Sequence, residues 1–347
     1  MTEAAFIAEW ARVRVVFGAG ALERLGTELD TLGPARVLLV TTARRDATIE
    51  KVLAELGHRL CGVCDLAAMH VPADRVQRAV AEVDRIRPDA LLAVGGGSAV
   101  GLAKAISRRQ PLPIVAVPTT YSGSEMTSIW GMTTGDTKTT GRDPAVAPRL
   151  VIYDPVLTLS LPPHTSAASG MNAMAHAVEA MYARNASPIA TAAGEEAIRT
   201  LAGALPAIVA TPHDLPARTL ALRGAHAAAV SLELAPMGLH HKLCHVLGGF
   251  GLPHAATHAA LLPHVVAFNA PAAPEAMARI AAALGANEAA AGLRALNDRL
   301  GLTMSLGTLG LNDADVERAA GAVGAATFPN PREATAGAVR QLLLDAL

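Results

Sequence analysis

The chain has 347 residues, more than the roughly 100 to 200 of a typical domain, and 51% of them are hydrophobic while 17% are charged. This composition excludes a disordered protein and a small disulfide-stabilised one. The near balance of 29 basic and 30 acidic residues, with no basic run, argues against nucleic-acid binding. We therefore expect two folded domains whose partners are small molecules or other protein chains. No stretch of about 20 apolar residues is free of charge and proline, so we expect no membrane span.

The three cysteines, Cys61, Cys64 and Cys244, do not suit a disulfide framework, and the first residues lack the pattern of a secretory leader. Both features predict a protein of the reducing cytoplasm. Cys61 and Cys64 form a C-x-x-C pair, a spacing found in some metal and redox sites. Because this pair lies in the apolar run 60–63, a strand is the favoured interpretation.

Residues 1–158 alternate short β-rich runs with helical stretches, which is the pattern of a parallel sheet covered by helices. The predicted strands are 36–41, 60–65, 90–94, 114–117 and 150–154, and the predicted helices are 73–86 and 100–107. This α/β half is therefore predicted to be a Rossmann-like, dinucleotide-binding domain.

Residues 159–347 are predicted to form an all-helical catalytic domain, because alanine-rich segments of helical periodicity follow Pro162 and Pro163. The predicted helices are 165–184, 188–209, 216–232, 238–247, 274–284, 288–300, 313–325 and 333–346. Residues 251–253 are predicted to form a turn, directly followed by His254.

A glycine-rich turn, Gly95, Gly96, Gly97 and Ser98, follows one predicted strand and opens a helix. The backbone amides of such a turn face an anion at the helix N-terminus, which is where a pyrophosphate binds. The spacing matches neither the GxGxxG fingerprint nor the Walker motif, so a plain strand-to-helix turn is the alternative.

Hydroxyl groups follow the next strand, at Thr119, Thr120, Ser122 and Ser124. Ligands of open parallel sheets bind at the carboxyl ends of the strands, and two adjacent strand ends favour a dinucleotide. In the alternative interpretation, Ser122 or Ser124 only caps the following helix.

The end of the strand at 36–41 bears on the choice of dinucleotide. Enzymes of this kind often place an acidic residue there, on the adenosine ribose, whereas this chain has Thr41 followed by Arg44 and Arg45. No carboxylate would repel a 2′-phosphate, so we expect either NADH or NADPH as the cofactor.

Six of the twelve histidines fall between residues 240 and 264, namely His240, His241, His245, His254, His258 and His264. His241 and His245 share a helix face by their four-residue spacing, and Asn172 and His176 share another. We predict that these two faces and His254 form one polar site.

The same site could hold a metal ion, because His176, His241 and His254 are suitable ligands for zinc or ferrous iron. The fourth position is Asn172, a neutral amide in place of an anionic carboxylate, which weakens the attraction for a cation. We therefore favour a vestigial site that requires no metal, with a bound metal as the alternative.

Several motifs together carry a family resemblance across nearly the whole chain. They are Phe17-Gly18-Ala19-Gly20, the turn Gly95–Ser98 with Ala103-Lys104, Pro118-Thr119-Thr120, residues 169–176 (SGMNAMAH), His241-x-x-x-His245 and Pro253-His254. In this combination the chain resembles the iron-containing alcohol dehydrogenase superfamily, with its Rossmann-like N-terminal and all-α C-terminal domains.

Three departures from the superfamily pattern point to a subgroup. The pattern has aspartate at Asn172, usually aspartate at Gly101, and alanine-glycine-threonine at residues 121–123. With residues 141–144 (GRDP) and 240–245 (HHKLCH), these departures resemble the maleylacetate reductases, which reduce the alkene of maleylacetate to 3-oxoadipate in aromatic-compound degradation.

This resemblance implies a cytoplasmic homodimer that uses NADH or NADPH, with Gly95–Ser98, Thr119, Thr120 and Lys138 holding the cofactor. The proton donor is expected to be His241 or His245. Tyr121, Arg142 and Lys242 are further candidates for holding a substrate carboxylate. The alternatives are a zinc- or iron-dependent alcohol or polyol dehydrogenase, and a nucleotide-binding regulatory protein that has lost catalysis.

Overall fold

The computed structural model describes residues 13–43, 46–135 and 137–347. The chain divides into two compact units, the first ending at Leu161 and the second running from Pro162 to Leu347. Each unit has its own apolar core. Among the described residues, no helix combines the length and apolar character needed to cross a membrane.

Six parallel strands form the sheet of the first unit: β1 (Arg14–Phe17), β2 (Val37–Val40), β3 (Leu60–Cys64), β4 (Ala90–Gly95), β5 (Ile114–Pro118) and β8 (Leu150–Tyr153). Their order is β1-β8-β5-β4-β2-β3. The middle strands are continuous buried apolar runs, as expected for a parallel sheet covered on both faces. The five predicted strands are confirmed, and β1 was not predicted.

Two further strands, β6 (Ile129–Thr134) and β7 (Thr137–Arg142), form an antiparallel hairpin. Gly135 begins its turn with a φ of 56°, a left-handed conformation that glycine adopts without strain. The hairpin was not predicted, because its many threonines and glycines show no clear alternation of apolar and polar residues.

The helices of the first unit are α1 (Leu25–Leu32), α2 (Ala47–Leu56), α3 (Ala73–Ile86) and α4 (Gly97–Ser107). The prediction for α3 is confirmed at both ends, whereas α4 begins at Gly97, inside the glycine turn, rather than at residue 100. The short helices α1 and α2 were not predicted. Asp46 defines the start of α2, since its carboxylate accepts hydrogen bonds from the N–H groups of Thr48 and Ile49.

The second unit contains nine helices and, over residues 162–347, no strand. They are α5 (Pro163–Tyr182), α6 (Pro188–Ala210), α7 (Leu215–Leu234), α8 (Leu239–Gly249), α9 (His254–Asn269), α10 (Pro274–Leu284), α11 (Ala289–Leu300), α12 (Asp313–Gly324) and α13 (Ala336–Leu344). The all-helical prediction is confirmed, but α9 was missed. It contains Pro263 and is buried on most sides, so it lacks the amphipathic pattern that marks a surface helix.

The C-x-x-C pair lies on β3, which confirms the strand interpretation. Burial raises the pKa of the Cys64 thiol to about 11 and also raises that of Cys61. In the described structure none of the three cysteines forms a disulfide. Thiols with raised pKa values are poor nucleophiles and metal ligands, which agrees with the strand interpretation.

Candidate active site

The glycine turn and the first hydroxyl residues lie together at the carboxyl ends of neighbouring strands. Gly95 at the end of β4 pairs with Pro118 at the end of β5, and the Thr119 N–H donates to the Gly95 carbonyl at 3.0 Å. A Cβ placed on Gly96 would lie 3.0 Å from both Cγ2 and Oγ1 of Thr120. The two motifs are therefore in contact, and Gly96 permits the close approach.

The N-terminus of α4 is open at this point. Its N-cap residue is Gly96, and within the described chain no side chain caps the first turn. Ser122 lies against Gly97, 3.6 Å from a Cβ placed there, and the buried Ser122 Oγ has no hydrogen-bond partner among the described residues. Unpaired N–H groups at a helix N-terminus and a buried hydroxyl are suited to binding a phosphate.

The structure does not support the interpretation of Ser122 or Ser124 as a helix cap. The element that follows is a short 3-10 helix, Ser124–Met126, and its N-cap residue is Gly123. As far as the described residues show, no side chain caps it.

Lys104 fixes the position of the segment that carries these hydroxyls, a role that the sequence analysis missed. Its fully buried Nζ donates to the carbonyl oxygens of Ser124, Thr127 and Ile129 at 2.6, 2.7 and 2.8 Å. The Thr127 hydroxyl also accepts from this nitrogen at 3.1 Å, so the three protons of the ammonium group are all in use. Lys104 therefore ties α4 to the chain that follows β5. The signal in the sequence was a lysine within an otherwise apolar helix.

The other predicted cofactor contacts have different environments. The Thr41 hydroxyl is buried and donates to the Val94 carbonyl at 3.1 Å, which ties the end of β2 to β4. Lys138 is half-buried on β7. Burial of the His70 ring lowers its pKa, and the positive charge of Lys138 lowers it further. Arg44 and Arg45 lie outside the described residues.

The three predicted carboxylate-binding residues differ in burial. Tyr121 is fully buried, Arg142 is exposed at the end of β7, and Lys242 is half-buried on α8. Gly141, the residue before Arg142, leaves room for a neighbouring side chain. A Cβ on Gly141 would lie 2.9 Å from the indole ring of Trp130 on the paired strand.

Five imidazoles in the second unit form a continuous group, which we call the histidine cluster: His176, His240, His241, His254 and His258. His176 on α5 stacks on His241 of α8, with ring centroids 4.8 Å apart. His258 of α9 lies 4.8 Å from His240, 5.0 Å from His241 and 4.4 Å from His254. Helices α5, α8 and α9 thus each supply at least one ring.

The predicted residues His176, His241 and His254 do come together, although His258 stands between His254 and the other two. The position of His258 could be assigned only once α9 was known. His254 is the first residue of this helix, and His258 follows one turn later. His240 and His258 had been noted in the sequence but not assigned to the site.

The remaining predicted residues lie on the same helices. His245 is half-buried one turn beyond His241 on α8. The pKa of His176 is lowered first by burial and then by the charges of neighbouring histidines, of which His245 contributes least. Asn172 lies one turn before His176 on α5, and its buried Oδ1 has no hydrogen-bond partner within the described chain. His264, by contrast, lies near Arg294 and Asp345 and outside the cluster.

Glu179 is the principal residue that sequence reasoning missed. It is fully buried on α5, three residues after His176, and its Oε2 lies 2.6 Å from Nδ1 of His241. Burial by itself raises the pKa of Glu179, but the hydrogen bond and charge of the His241 ring, with a hydrogen bond from the His240 backbone, hold that pKa below its usual value. The signal was a carboxylate one turn from a histidine on an apolar helix.

Three other rings of the cluster, those of His176, His240 and His258, resist protonation. Burial lowers the pKa of His240 to about 4, and burial together with the charges of neighbouring histidines lowers the pKa values of His176 and His258 well below the ordinary range. Ring nitrogens of His176, His240, His241 and His258 are buried without hydrogen-bond partners among the described residues. Since such groups are costly to leave unpaired, the cluster is suited to binding a polar molecule.

The histidine cluster offers suitable ligand atoms for a metal ion but lacks an anionic ligand among the described residues. The ligand atoms of His240, His241 and His258 all lie within 4.8 Å of one another, and imidazole suits zinc or ferrous iron. This set shares only His241 with the predicted set of Asn172, His176, His241 and His254. All three donors are neutral in a metal complex, and Glu179 contacts Nδ1 of His241 as a hydrogen-bond partner, so among the described residues this set contains no anionic ligand.

The chain matches two family models, "Iron-containing alcohol dehydrogenase" over residues 12–155 and "Fe-containing alcohol dehydrogenase family, C-terminal" over residues 166–347. It is 47% identical over 340 residues to a maleylacetate reductase of Burkholderia cepacia, covering 98% of this chain and 97% of that one. It is 52% identical over 282 residues to maleylacetate reductase 2 of Cupriavidus pinatubonensis, covering 81% and 79%.

Among solved structures, the maleylacetate reductase of Agrobacterium tumefaciens superimposes with a TM-score of 0.94 at 42% identity. The match covers 99% of this chain and 98% of that one. The parallel sheet with its glycine turn, the all-helical second unit and both family models agree, and the chain belongs to the iron-containing alcohol dehydrogenase family, a family of oxidoreductases.

Proposed function

We propose that this chain reduces the conjugated C=C bond of maleylacetate to 3-oxoadipate with NADH or NADPH, in the degradation of aromatic compounds, without a required metal. The observation that carries the proposal is the histidine cluster. Ring nitrogens of His176, His240, His241 and His258 have no hydrogen-bond partner among the described residues, and neutral Asn172 stands where the superfamily pattern has an anion. The similarity to maleylacetate reductases over nearly the whole chain supports the choice of substrate.

The cofactor would be held at the open N-terminus of α4. Gly95–Ser98, Thr119, Thr120 and Ser122 offer backbone amides and hydroxyls to its pyrophosphate, and the contact between Gly96 and Thr120 keeps this recess narrow. Thr41 and Lys138 are further expected contacts. When bound, the reduced nicotinamide supplies the hydride.

The substrate determines what the residues of the chain must do. Maleylacetate is a dianion whose alkene is conjugated to a ketone. Addition of hydride at the carbon β to the ketone breaks the C=C π bond and moves its electron pair towards the ketone oxygen. A proton at the α carbon then restores the ketone. The site must therefore bind two carboxylates, stabilise an enolate oxygen and deliver one proton.

The histidine cluster can meet these needs through N–H donors. Each well-placed donor to a developing oxyanion is worth about 3 to 4 kcal/mol. His176, His254 and Asn172 would bind the oxygen atoms, and His241 or His245 would act as the acid. Tyr121, Arg142 and Lys242 are the additional candidates for the carboxylates.

The test is NADH oxidation with maleylacetate, comparing the purified protein with the same sample after exhaustive chelation and a metal assay. We expect equal turnover in the metal-free sample. Loss of turnover on chelation and recovery with zinc or ferrous iron would refute the metal-free proposal.

A metal-dependent alcohol or polyol dehydrogenase is the second candidate, favoured by the close approach of His240, His241 and His258. It requires that chelation abolish activity and that small alcohols or aldehydes be better substrates than maleylacetate. A regulatory protein without catalysis would instead bind NADH and turn over neither substrate class.

We also propose a homodimer located in the cytoplasm. A reducing compartment suits a chain in which, as described, Cys61, Cys64 and Cys244 form no disulfide. Light scattering coupled to size exclusion tests the dimer, which requires twice the 35.5 kDa of one chain.

A further inference from the structure

The carboxylate of Glu179 lies at the N-terminus of α8. It accepts hydrogen bonds from the backbone N–H groups of Gly238, His240 and His241 at 3.2, 2.9 and 3.4 Å. Because Glu179 belongs to α5, a neighbouring helix supplies the anion that α8 needs at this end. First-turn N–H groups have no partner within their own helix, and the helix dipole favours negative charge there.

Gly238, the N-cap residue of α8, makes room for this carboxylate. A Cβ on Gly238 would lie 3.1 Å from Oε1 of Glu179 and 3.0 Å from Oδ1 of Asn330. The absence of a side chain at this position allows the backbone amides to surround Glu179. With three amide donors and a helix dipole, the fully buried group is stabilised as an ionised carboxylate.

The fourth donor to Glu179 is the His241 ring, at 2.6 Å from Nδ1 to Oε2. An ionised carboxylate only accepts hydrogen bonds, so Nδ1 carries the proton of this contact. The second ring nitrogen, Nε2, is buried and has no hydrogen-bond partner among the described residues. Any further proton on the ring is therefore held at Nε2, with Glu179 offsetting its charge.

We infer that Glu179 is a positioning residue that fixes this tautomer of His241, and that His241 delivers the proton to the enolate carbon from Nε2. The inference rests on the proposed function, because the acceptor is the enolate formed from maleylacetate. It selects His241 from the two candidates, His241 and His245, that sequence reasoning left open.

The step balances as follows. The Nε2–H bond of the His241 imidazolium breaks, and its electron pair stays on Nε2. The C=C electron pair of the enolate forms a C–H bond at the carbon α to the ketone, and the oxygen lone pair restores the C=O bond. His241 is left neutral with Nδ1–H still bound to Glu179, and a proton from solvent restores the imidazolium.

The experiment compares steady-state kinetics of Glu179→Gln, His241→Gln, the double variant and Glu28→Gln. A glutamine at 179 keeps the size of the side chain but loses the charge and places an NH2 group among donors. We expect its kcat to fall at least about a hundredfold, with KM changed less than about threefold. Glu28→Gln is the matched control, since Glu28 is also a buried carboxylate, paired with Arg14 and distant in sequence from both sites. It should keep kcat within about twofold.

The double variant separates positioning from a structural role. If Glu179 acts through His241, adding Glu179→Gln to His241→Gln lowers kcat by less than about threefold more. If Glu179 only stabilises the start of α8, the two losses multiply and the inference is refuted. It is equally refuted if His241→Gln keeps more than a tenth of kcat while His245→Gln abolishes turnover.

The tautomer can be read without substrate, by NMR of protein labelled with [15N]histidine and assigned through the resonance lost in His241→Gln. At a pH high enough to remove the imidazolium proton, we expect neutral His241 to keep its proton at Nδ1 in the unmodified chain and to shift towards protonated Nε2 in Glu179→Gln. An unmodified protein that fails to oxidise NADH with maleylacetate would overturn the proposed function. The NMR result would still decide whether Glu179 sets the tautomer.

Discussion

The glycine turn of the first unit and the histidine cluster of the second obtain their polarity in different ways. At the turn, main-chain N–H groups are left open by the start of α4, and Gly96 approaches Thr120 so closely that a Cβ would lie 3.0 Å from two of its atoms. In the cluster, the polar groups are side-chain imidazoles, and the buried carboxylate of Glu179 fixes the position of the proton on the His241 ring. The turn is therefore sensitive to added volume, whereas the cluster is sensitive to charge.

The largest effect is expected from added volume at the turn. In Gly96→Val the new side chain collides with Thr120, so the recess for the pyrophosphate closes or distorts. We expect the Kd for NADH to rise about a hundredfold, or ~2.7 kcal/mol, in a fluorescence titration.

Gly203→Val is the matched control for this change. Gly203 is exposed on α6, and a Cβ there would meet no described atom within 4 Å. Its Kd for NADH should remain near that of the unmodified chain. A Gly96→Val variant with unchanged Kd would show that the cofactor does not use this turn.

The charge sensitivity of the cluster predicts a pH dependence of stability. His176, His240 and His258 have pKa values lowered by burial, that of His240 to about 4, so near pH 5 the unfolded chain binds protons that the folded chain excludes. The free energy of unfolding should fall as the pH decreases from about 6.5 towards 4, by up to about 1.4 kcal/mol per pH unit for each histidine.

Urea unfolding between pH 4.5 and 7.5 measures this slope, and His240→Gln isolates one contribution. The variant should show a slope smaller by up to about 1.4 kcal/mol per pH unit, since one excluded proton is removed. Identical slopes for the two proteins would mean that His240 does not resist protonation in the folded state.

The same contrast explains what could be predicted from the sequence. The glycine turn and its hydroxyls were predictable because each directly follows an apolar strand, and parallel strands that are adjacent in the sheet end at the same edge. For the cluster, the spacings of His241 from His245 and of Asn172 from His176 indicated two helix faces. Which helices pack against those faces depends on the tertiary structure. Helix α9 contains Pro263 and is buried on most sides, so its sequence lacks the pattern that predicts a helix. Without α9, the position of His258 could not be predicted.

Glu179 was unpredictable for a further reason. Its partners are the N–H groups at the start of α8, about 60 positions along the chain, and no local pattern reports a cap supplied by another helix. Lys104 is a similar case in the first unit, because its three carbonyl partners lie 20 to 25 positions further along the chain. Long-range polar contacts of single side chains are thus the part of both sites that required the structure.

A smaller steric effect is expected at Gly101, where the superfamily pattern usually has aspartate. A Cβ there would lie 2.7 Å from Cγ2 of Val71, a residue held at the left-handed φ of 51°. We expect Gly101→Ala to lower the free energy of unfolding by about 1 to 3 kcal/mol.

Two variants test this explanation of Gly101. Gly321→Ala on α12 adds a methyl group in open space and should be neutral or stabilising, by up to about 1 kcal/mol from helix propensity. Val71→Ala removes the colliding methyl groups, so it should restore most of the stability lost in Gly101→Ala. Additive losses in that double variant would mean that the collision is not the cause.

The smallest effect concerns the missing anion in the cluster. Asn172→Asp places a carboxylate one turn before His176, where the buried Oδ1 has no partner within the described chain. Such a group attracts a divalent cation and supplies the anionic ligand that the neutral imidazoles lack. We expect the affinity for Zn²⁺ to rise at least about tenfold, ~1.4 kcal/mol, in titrations against a chromophoric chelator.

Asn185→Asp adds the same charge at an exposed position after α5 and controls for net charge alone. If the two variants bind Zn²⁺ equally, position 172 is not a ligand position and the absence of an anion there does not explain the proposed metal independence. If Asn172→Asp binds more tightly and turnover of maleylacetate falls as the metal loads, then the ion and the substrate compete for the same imidazoles. That result would connect the loss of one carboxylate to the use of the cluster for an anionic substrate.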